Sequence, residues 1–162
     1  MQEIYYMNTI HKQFISYGSS PVDLSDKILK GRPYGGLPVM VRRKITQYCK
    51  VIDNSDPSFI CMQICTDNFN ITVVNWYLPY YSGEDSLEIY LNLLAKIHSV
   101  VVENDSNVTY IVGDFNAHVD SKMFEELESF CKNNNYIISD VKHLGKFSGI
   151  YKYVSDAYGS CR

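Results

Sequence analysis

Short apolar runs in a fixed order constrain the fold of this chain more than any other feature of its sequence. Each run is rich in β-branched and aromatic residues and is bounded by turn residues, as strands are. The runs are Leu37–Arg43, Phe59–Cys65, Asn70–Tyr77 and Val108–Val112. A long helical repeat separates the third run from the fourth. This order predicts a mixed α+β or α/β layered domain.

Two helices and one further strand complete the predicted elements. The first helix is expected from about Glu84 to Val102, and Ser82 with Asp85 has the form of a capping box at its start. The second is expected over Ser121–Asn133, with acidic residues near its first turn and a lysine near its last. A short strand is predicted over Tyr136–Ser139.

Length and composition limit the classes of protein to be considered. The chain has 162 residues, 46% of them apolar, which is typical of one globular domain spanning residues 1–162. Its net charge of -3 excludes a uniformly basic chain that coats nucleic acid by charge alone. Five cysteines without a C-x-x-C pair favour reduced thiols and an intracellular protein, and no apolar run is long enough for a membrane span.

The stretch from Thr109 to His118 is the most informative candidate site. An apolar strand ends there in Gly113, Asp114 and Asn116. The aspartate has the chemistry to activate a water, and the asparagine to hold that water or a phosphate oxygen. Asp and Asn also cap and turn chains by bonding their own backbone, and spacing alone favours this second interpretation.

Two other segments carry polar groups suited to phosphate. Tyr77 ends a strand before Leu-Pro-Tyr, where its hydroxyl could donate to a phosphate or simply reach water from a packed ring. The loop Gly31–Gly36, with Arg32 and Tyr34, leads into a strand that ends in Arg42, Arg43 and Lys44. These residues suit a phosphate backbone, or else build an ordinary turn with solvated charges.

In order, Gly-Arg-Pro-Tyr-Gly-Gly, Asn-Trp-Tyr-Leu-Pro-Tyr and Ile-Val-Gly-Asp-Phe-Asn-Ala-His-Val resemble the LINE-type retrotransposon endonucleases. These enzymes belong to the endonuclease/exonuclease/phosphatase superfamily, with the DNase I-like and apurinic/apyrimidinic endonucleases. The resemblance implies a four-layer sandwich of two packed mixed β-sheets flanked by helices. It also implies that DNA is nicked with Mg²⁺ or Mn²⁺ as cofactor.

The resemblance assigns roles to individual residues. Met1-Gln2-Glu3 looks like the family's Leu-Gln-Glu element, so Glu3 is the expected metal ligand. Tyr77 would contact the scissile phosphate, Asp114 would orient the nucleophilic water, and Asn116 would position both. We expect these four side chains to converge at one rim. The expected setting is a monomer acting on nuclear DNA beside a reverse transcriptase domain of the parent polyprotein.

The chain also departs from the family pattern. Lys152 stands where the family's Tyr-Thr-Tyr-Val-Ser-Asp stretch has threonine, which puts DNA contact there in doubt. The preceding asparagine strand and the later Ile/Leu-Asp-His and Ser-Asp-His elements are not found in the sequence. The resemblance therefore describes a domain truncated at both ends, with an incomplete sandwich, an exposed sheet edge and very low or no activity.

Two alternatives remain open. A superfamily phosphatase or RNA deadenylase would share Glu3, Tyr77, Asp114 and Asn116, and would differ in the loops that face the substrate. A non-catalytic nucleic-acid-binding remnant would instead use the basic run that begins at Arg42. Salt-sensitive DNA binding that is indifferent to Mg²⁺ and to Asp114 is the expected signature of such a remnant.

Overall fold

The computed structural model describes residues 12–19, 37–53, 56, 58–78, 85–146, 153–155 and 159–161, and it confirms the α/β class. The strands are β1 Phe14–Ser19, β2 Leu37–Arg42, β3 Cys49–Asp53, β4 Phe59–Cys65, β5 Asn70–Tyr77, β6 Val108–Asp114, β7 Tyr153–Ser155 and β8 Gly159–Cys161. The α-helices are α1 Ser86–Glu103, α2 Lys122–Asn133 and α3 Ser139–Leu144, and a 3-10 helix covers Arg43–Tyr48.

The largest sheet has the strand order β3-β4-β5-β6. The first two pairings are antiparallel, whereas β5 and β6 are parallel, so the sheet is mixed. A parallel pair needs a long crossover connection, and α1 lies in the connection between these two strands. The strands β1 and β2 form an antiparallel sheet of their own, as do β7 and β8.

The chain divides into two compact units. The first comprises Met1–Leu78 and Lys96–Phe115, and the second Pro79–Ala95 and Asn116–Arg162. In the first unit the β1–β2 sheet packs against β4 and β5. The amide Nδ2 of Asn75 on β5 donates to the carbonyl of Pro38 on β2, at 3.4 Å. Two sheets are therefore packed face to face, as the resemblance implies.

The opposite face of the large sheet carries the most buried side chains of the first unit. Phe59 and Trp76 are register partners, both are fully buried, and their rings stack with centroids 5.0 Å apart. Lys96 of α1 lies over the Phe59 ring at 4.9 Å, and its ammonium pairs with Asp56 at 2.7 Å. An aromatic pair therefore anchors the helix on this face of the sheet.

The same contacts perturb one carboxyl group. Burial favours the neutral form of Asp56, but the hydrogen bonds it accepts from Lys96 and Ser58 outweigh burial. The pKa of Asp56 is therefore lowered from its usual value. The charged form of Asp56 is favoured in the folded protein.

In the second unit α2 follows its predicted span closely. Ser121 is the N-cap, and its hydroxyl accepts from the backbone N–H of Phe124 at 3.2 Å. Phe124 and Leu127 are buried on one side of the helix. Lys146 lies over the Phe124 ring at 5.0 Å and pairs with Glu128 at 2.9 Å.

The strand predicted over Tyr136–Ser139 is wrong. Residues 136–138 have no regular structure, because the backbone N–H of Tyr136 donates to Cys131 at the end of α2, at 2.8 Å. Asn135 reverses the chain with a φ of 58°, and α3 begins at Ser139 with Asp140 in its first turn. The acidic start suits a helix N-terminus.

Other differences concern elements that local patterns miss. The strands β1 and β3 and the 3-10 helix are not predicted from the sequence, and α1 begins at Ser86 rather than near Glu84. The proposed cap Ser82 lies outside the described residues. No helix within the described ranges is both long and apolar enough to cross a membrane.

Candidate active site

The parallel pairing of β5 and β6 brings two of the predicted site residues together. Tyr77 and Asp114 are register partners at the carboxyl ends of these strands. Adjacent strands lie about 4.8 Å apart, and register partners point to the same face of the sheet. Two residues separated by 37 positions in sequence are thus neighbours at one sheet edge.

Backbone hydrogen bonds fix this edge on both sides of Tyr77. The N–H of Tyr77 donates to the carbonyl of Ser58, just before β4, at 2.8 Å. The next N–H, that of Leu78, donates to the carbonyl of Asp114 at 2.8 Å. Leu78 itself is fully buried. The tyrosine and the aspartate are therefore held by backbone contacts rather than by a loose loop.

Gly113 is required where β6 meets β5. Its φ of +141° lies in the region that favours glycine. A Cβ at this position would lie 1.7 Å from the carbonyl oxygen of its register partner Trp76, far inside van der Waals contact. The glycine before Asp114 thus permits the close approach of the two strands just before the Tyr77–Asp114 pair.

Both members of the pair are accessible to a ligand. The side chain of Tyr77 is 38% exposed and Asp114 is exposed as well. The phenol O–H donates a hydrogen bond and the carboxylate accepts one. The edge therefore presents a hydrogen-bond donor and a hydrogen-bond acceptor side by side.

The other predicted residues of this site belong to the second unit or lie outside the described residues. Asn116 is two residues beyond Asp114 but belongs to the second unit, where it adopts a left-handed φ of 45°. Glu3, Arg32 and Tyr34 lie outside the described residues. The convergence of all four catalytic and metal-binding residues stays a prediction.

The predicted DNA-contact residues Arg42 and Arg43 lie beyond the point where β2 contacts β5. Pro38, at the start of β2, contacts Asn75 near the carboxyl end of β5. Arg42 is four residues further along β2, which is about 13 Å of extended strand. The two arginines therefore lie at the other end of β2 from the residue that contacts β5.

Three of the described cysteines are held in the thiol form by burial. Burial raises the pKa of Cys49, of Cys131 and of Cys61, the last to about 11, so these thiols stay protonated near neutral pH. No cluster of three His, Cys, Asp or Glu side chains occurs in the described ranges. A single exposed carboxylate oxygen donor, such as Asp114, still suits Mg²⁺, which keeps several waters and uses one or two carboxylates.

Sequence reasoning missed two residues near the arginines. Lys12 lies beside Arg43, because its carbonyl accepts from the Arg43 Nε at 2.7 Å, and Tyr48 ends the 3-10 helix with 44% of its surface exposed. Neither residue belongs to a periodic run, so only the folded chain associates them with the basic segment.

Among known proteins, no family model and no curated protein matches this chain.

Proposed function

We propose that this chain is a Mg²⁺-dependent, DNA-nicking endonuclease of the LINE retrotransposon type that turns over slowly. The observation that carries the proposal is the Tyr77–Asp114 register pair at the end of two parallel strands. The order of the three sequence motifs supports the same class. Layered α/β folds use the carboxyl ends of parallel strands for their ligands, which fits this position.

The proposed chemistry assigns one task to each side chain. The Asp114 carboxylate accepts a hydrogen bond from the attacking water and orients it toward phosphorus. The Tyr77 hydroxyl donates to a non-bridging phosphate oxygen, where negative charge grows during attack. Asn116, through its amide, positions the water and the phosphate. These roles use groups that are accessible and chemically suited to them.

Glu3 is the proposed metal ligand. Asp114 also carries a carboxylate, which is the kind of oxygen ligand that Mg²⁺ prefers. A bound Mg²⁺ supplies electrostatic stabilisation of the phosphate and of the leaving oxygen. Mn²⁺ has a similar preference for oxygen ligands and is expected to substitute. DNA is the proposed partner, together with a reverse transcriptase domain in the parent polyprotein and action in the nucleus.

Slow turnover follows from the histidines that the chain carries. None of the four stands in a Ser-Asp-His context in the sequence: His11, His98, His118 and His143. His118 lies in the loop before α2, where its carbonyl accepts from the Ser121 hydroxyl. A general acid or base contributes on the order of 10²–10⁴-fold to rate, so these 162 residues acting without a histidine in that role should nick DNA slowly.

A comparison of substrates tests the proposed class against the superfamily phosphatases and deadenylases. Supercoiled DNA, poly(A) and a phosphoinositide are each incubated with the protein and Mg²⁺. We expect turnover of DNA alone, and its loss in Tyr77→Phe, because that variant keeps the ring and removes the donor. Release of phosphate from the lipid, or shortening of poly(A), without DNA nicking would contradict the assignment.

A further inference from the structure

A strongly basic surface lies where β2 ends and the 3-10 helix begins. We call it the basic turn: the 3-10 helix Arg43–Tyr48 together with Lys12 and Arg42. All four of its cationic residues, Lys12, Arg42, Arg43 and Lys44, are exposed. The strands β1 and β2 and the 3-10 helix, which form this part of the first unit, contain no Asp or Glu. The positive potential of the surface is therefore not offset by acidic residues of its own elements.

No ion pair neutralises the basic turn within the part of the chain that the structure describes. The ion pairs there are made by Lys96 and Lys146, which belong to other elements. Four exposed cations whose described neighbours supply no carboxylate partner repel one another, and an anionic partner relieves that repulsion. A polyanion with regularly spaced charges fits this arrangement better than a single small anion.

The two guanidinium groups are held in place by the fold. The Arg42 guanidinium lies over the Phe14 ring at 5.7 Å, and Phe14 is its register partner on β1. Arg43 donates from its Nε to Lys12 O at 2.7 Å, and from its backbone N–H to Gln13 O at 2.8 Å. Groups held in this way lose less conformational freedom on binding. Both arginines are thus preorganised for phosphate.

The basic turn also exposes apolar side chains. Ile45 and Tyr48 are 41% and 44% exposed, and residues three apart lie on the same side of a 3-10 helix. Hydrogen bonds hold the turn that presents them, from Thr46 Oγ1 to Arg43 O at 2.7 Å and from Cys49 Sγ to Ile45 O at 3.2 Å. Cations beside an exposed aromatic ring are typical of surfaces that bind nucleic acid.

We propose that the basic turn binds the phosphate backbone of DNA, with Tyr48 packed against a neighbouring sugar or base. The choice of DNA rests on the proposed function, but the binding itself needs neither Mg²⁺ nor Asp114.

Fluorescence anisotropy with a labelled DNA duplex in EDTA, over a series of salt concentrations, tests this proposal. Each phosphate contact adds about 0.9 to the salt slope, so Arg42→Gln/Arg43→Gln should lower the slope by about 2 and weaken binding roughly 60-fold at 0.1 M salt. Lys12→Gln/Lys44→Gln should do the same. Among the described residues, the side chains of Lys12 and Lys44 make no hydrogen bond, ion pair or ring contact, so this pair keeps the test valid if the arginine variant folds poorly.

Two further variants separate charge from packing. Tyr48→Ala should weaken binding roughly tenfold at every salt concentration without changing the slope, since stacking on an aromatic ring depends little on salt. Tyr48→Phe should bind as the wild type does. The matched control is Lys122→Gln/Lys132→Gln on α2, which removes two exposed lysines elsewhere and should leave the slope unchanged.

The outcomes also separate this proposal from the proposed function. An unchanged slope in both basic-turn variants, or an equal loss in the α2 control, would overturn it. So would binding of phosphatidylserine vesicles through the same residues without binding of the duplex. Asp114→Asn should bind DNA normally. Normal DNA binding by the wild type without nicking would thus refute the proposed catalysis but not DNA binding by the basic turn. Nicking with an unchanged salt slope in the basic-turn variants would refute the binding proposal but not the catalysis.

Discussion

Gly113→Ala is the substitution that most directly perturbs the end of the β5–β6 pair. The added Cβ would lie 1.7 Å from the Trp76 carbonyl oxygen, and real Cβ contacts essentially never fall below 3.0 Å. The two strands must therefore separate by about 1.3 Å at this point, the difference between those values. Because Tyr77 and Asp114 are the next register pair, the shift falls directly beside the candidate site.

The expected cost has two parts. A residue other than glycine at positive φ is strained by about 1–3 kcal/mol, and overpacking adds about 1–3 kcal/mol or more. Gly145→Ala is the matched control, because Gly145 has a φ of +83° but nothing lies within 4 Å of its Cβ position. We expect Gly113→Ala to lower the free energy of unfolding by about 2 kcal/mol more than the control does.

Urea denaturation followed by tryptophan fluorescence and circular dichroism measures this difference. Trp76 is the only tryptophan of the chain and is fully buried beside Gly113, so its emission reports on the perturbed pair. Hydrogen exchange should also quicken at the N–H of Leu78, which donates to Asp114. Equal effects of the two glycine variants, within about 1 kcal/mol, would refute the close approach of β5 and β6.

Two further predictions concern stability. Thr72 is fully buried with an unpartnered hydroxyl, so Thr72→Val should raise the free energy of unfolding by about 1–2 kcal/mol in urea denaturation. The control Thr66→Val removes a hydroxyl that donates to the carbonyl of Phe69, so it should lower the free energy of unfolding by about 1 kcal/mol. A lower free energy of unfolding in both variants would contradict the prediction for Thr72. Folding lowers the pKa of Asp56 from its usual value of 3.8. The charged carboxylate therefore stabilises the folded protein above pH 3.8, and this stabilisation is lost as the pH falls through the pKa of the folded state. The stability deficit of Asp56→Asn should therefore shrink below about pH 4, and a constant deficit from pH 7 to pH 2 would exclude the ion pair as its cause.

The sequence predicts the central strands well, because local pattern and tertiary environment agree there. The spans of β4 and β5 match their predictions at both ends, since the apolar runs are bounded by turn residues. The strand β6 extends beyond Val112 to Asp114, because parallel pairing with β5 orders residues that local pattern assigns to a turn. The missed β1 pairs with a strand that begins 18 residues after β1 ends, so its stabilisation is not local.

The helix α1 shows a similar limit. Leu91 fits the helical repeat but is 41% exposed, whereas its neighbour Tyr90 is almost fully buried. Periodicity identifies a helix, but the packing of its neighbours decides which side is buried. For the site, the motifs indicate Tyr77 and Asp114 separately, and only the parallel register makes them neighbours.

The nicking of supercoiled plasmid DNA tests the central claim most directly. Wild type, Asp114→Asn and the control Asp67→Asn, which alters an exposed carboxylate of a turn in the same unit, are compared with Mg²⁺ and with EDTA. We predict slow formation of nicked circles by the wild type and the control, dependent on Mg²⁺ and lost in Asp114→Asn. Nicking that persists in Asp114→Asn, or that is absent from all three proteins after long incubation, would contradict the assignment of this edge as a nuclease site.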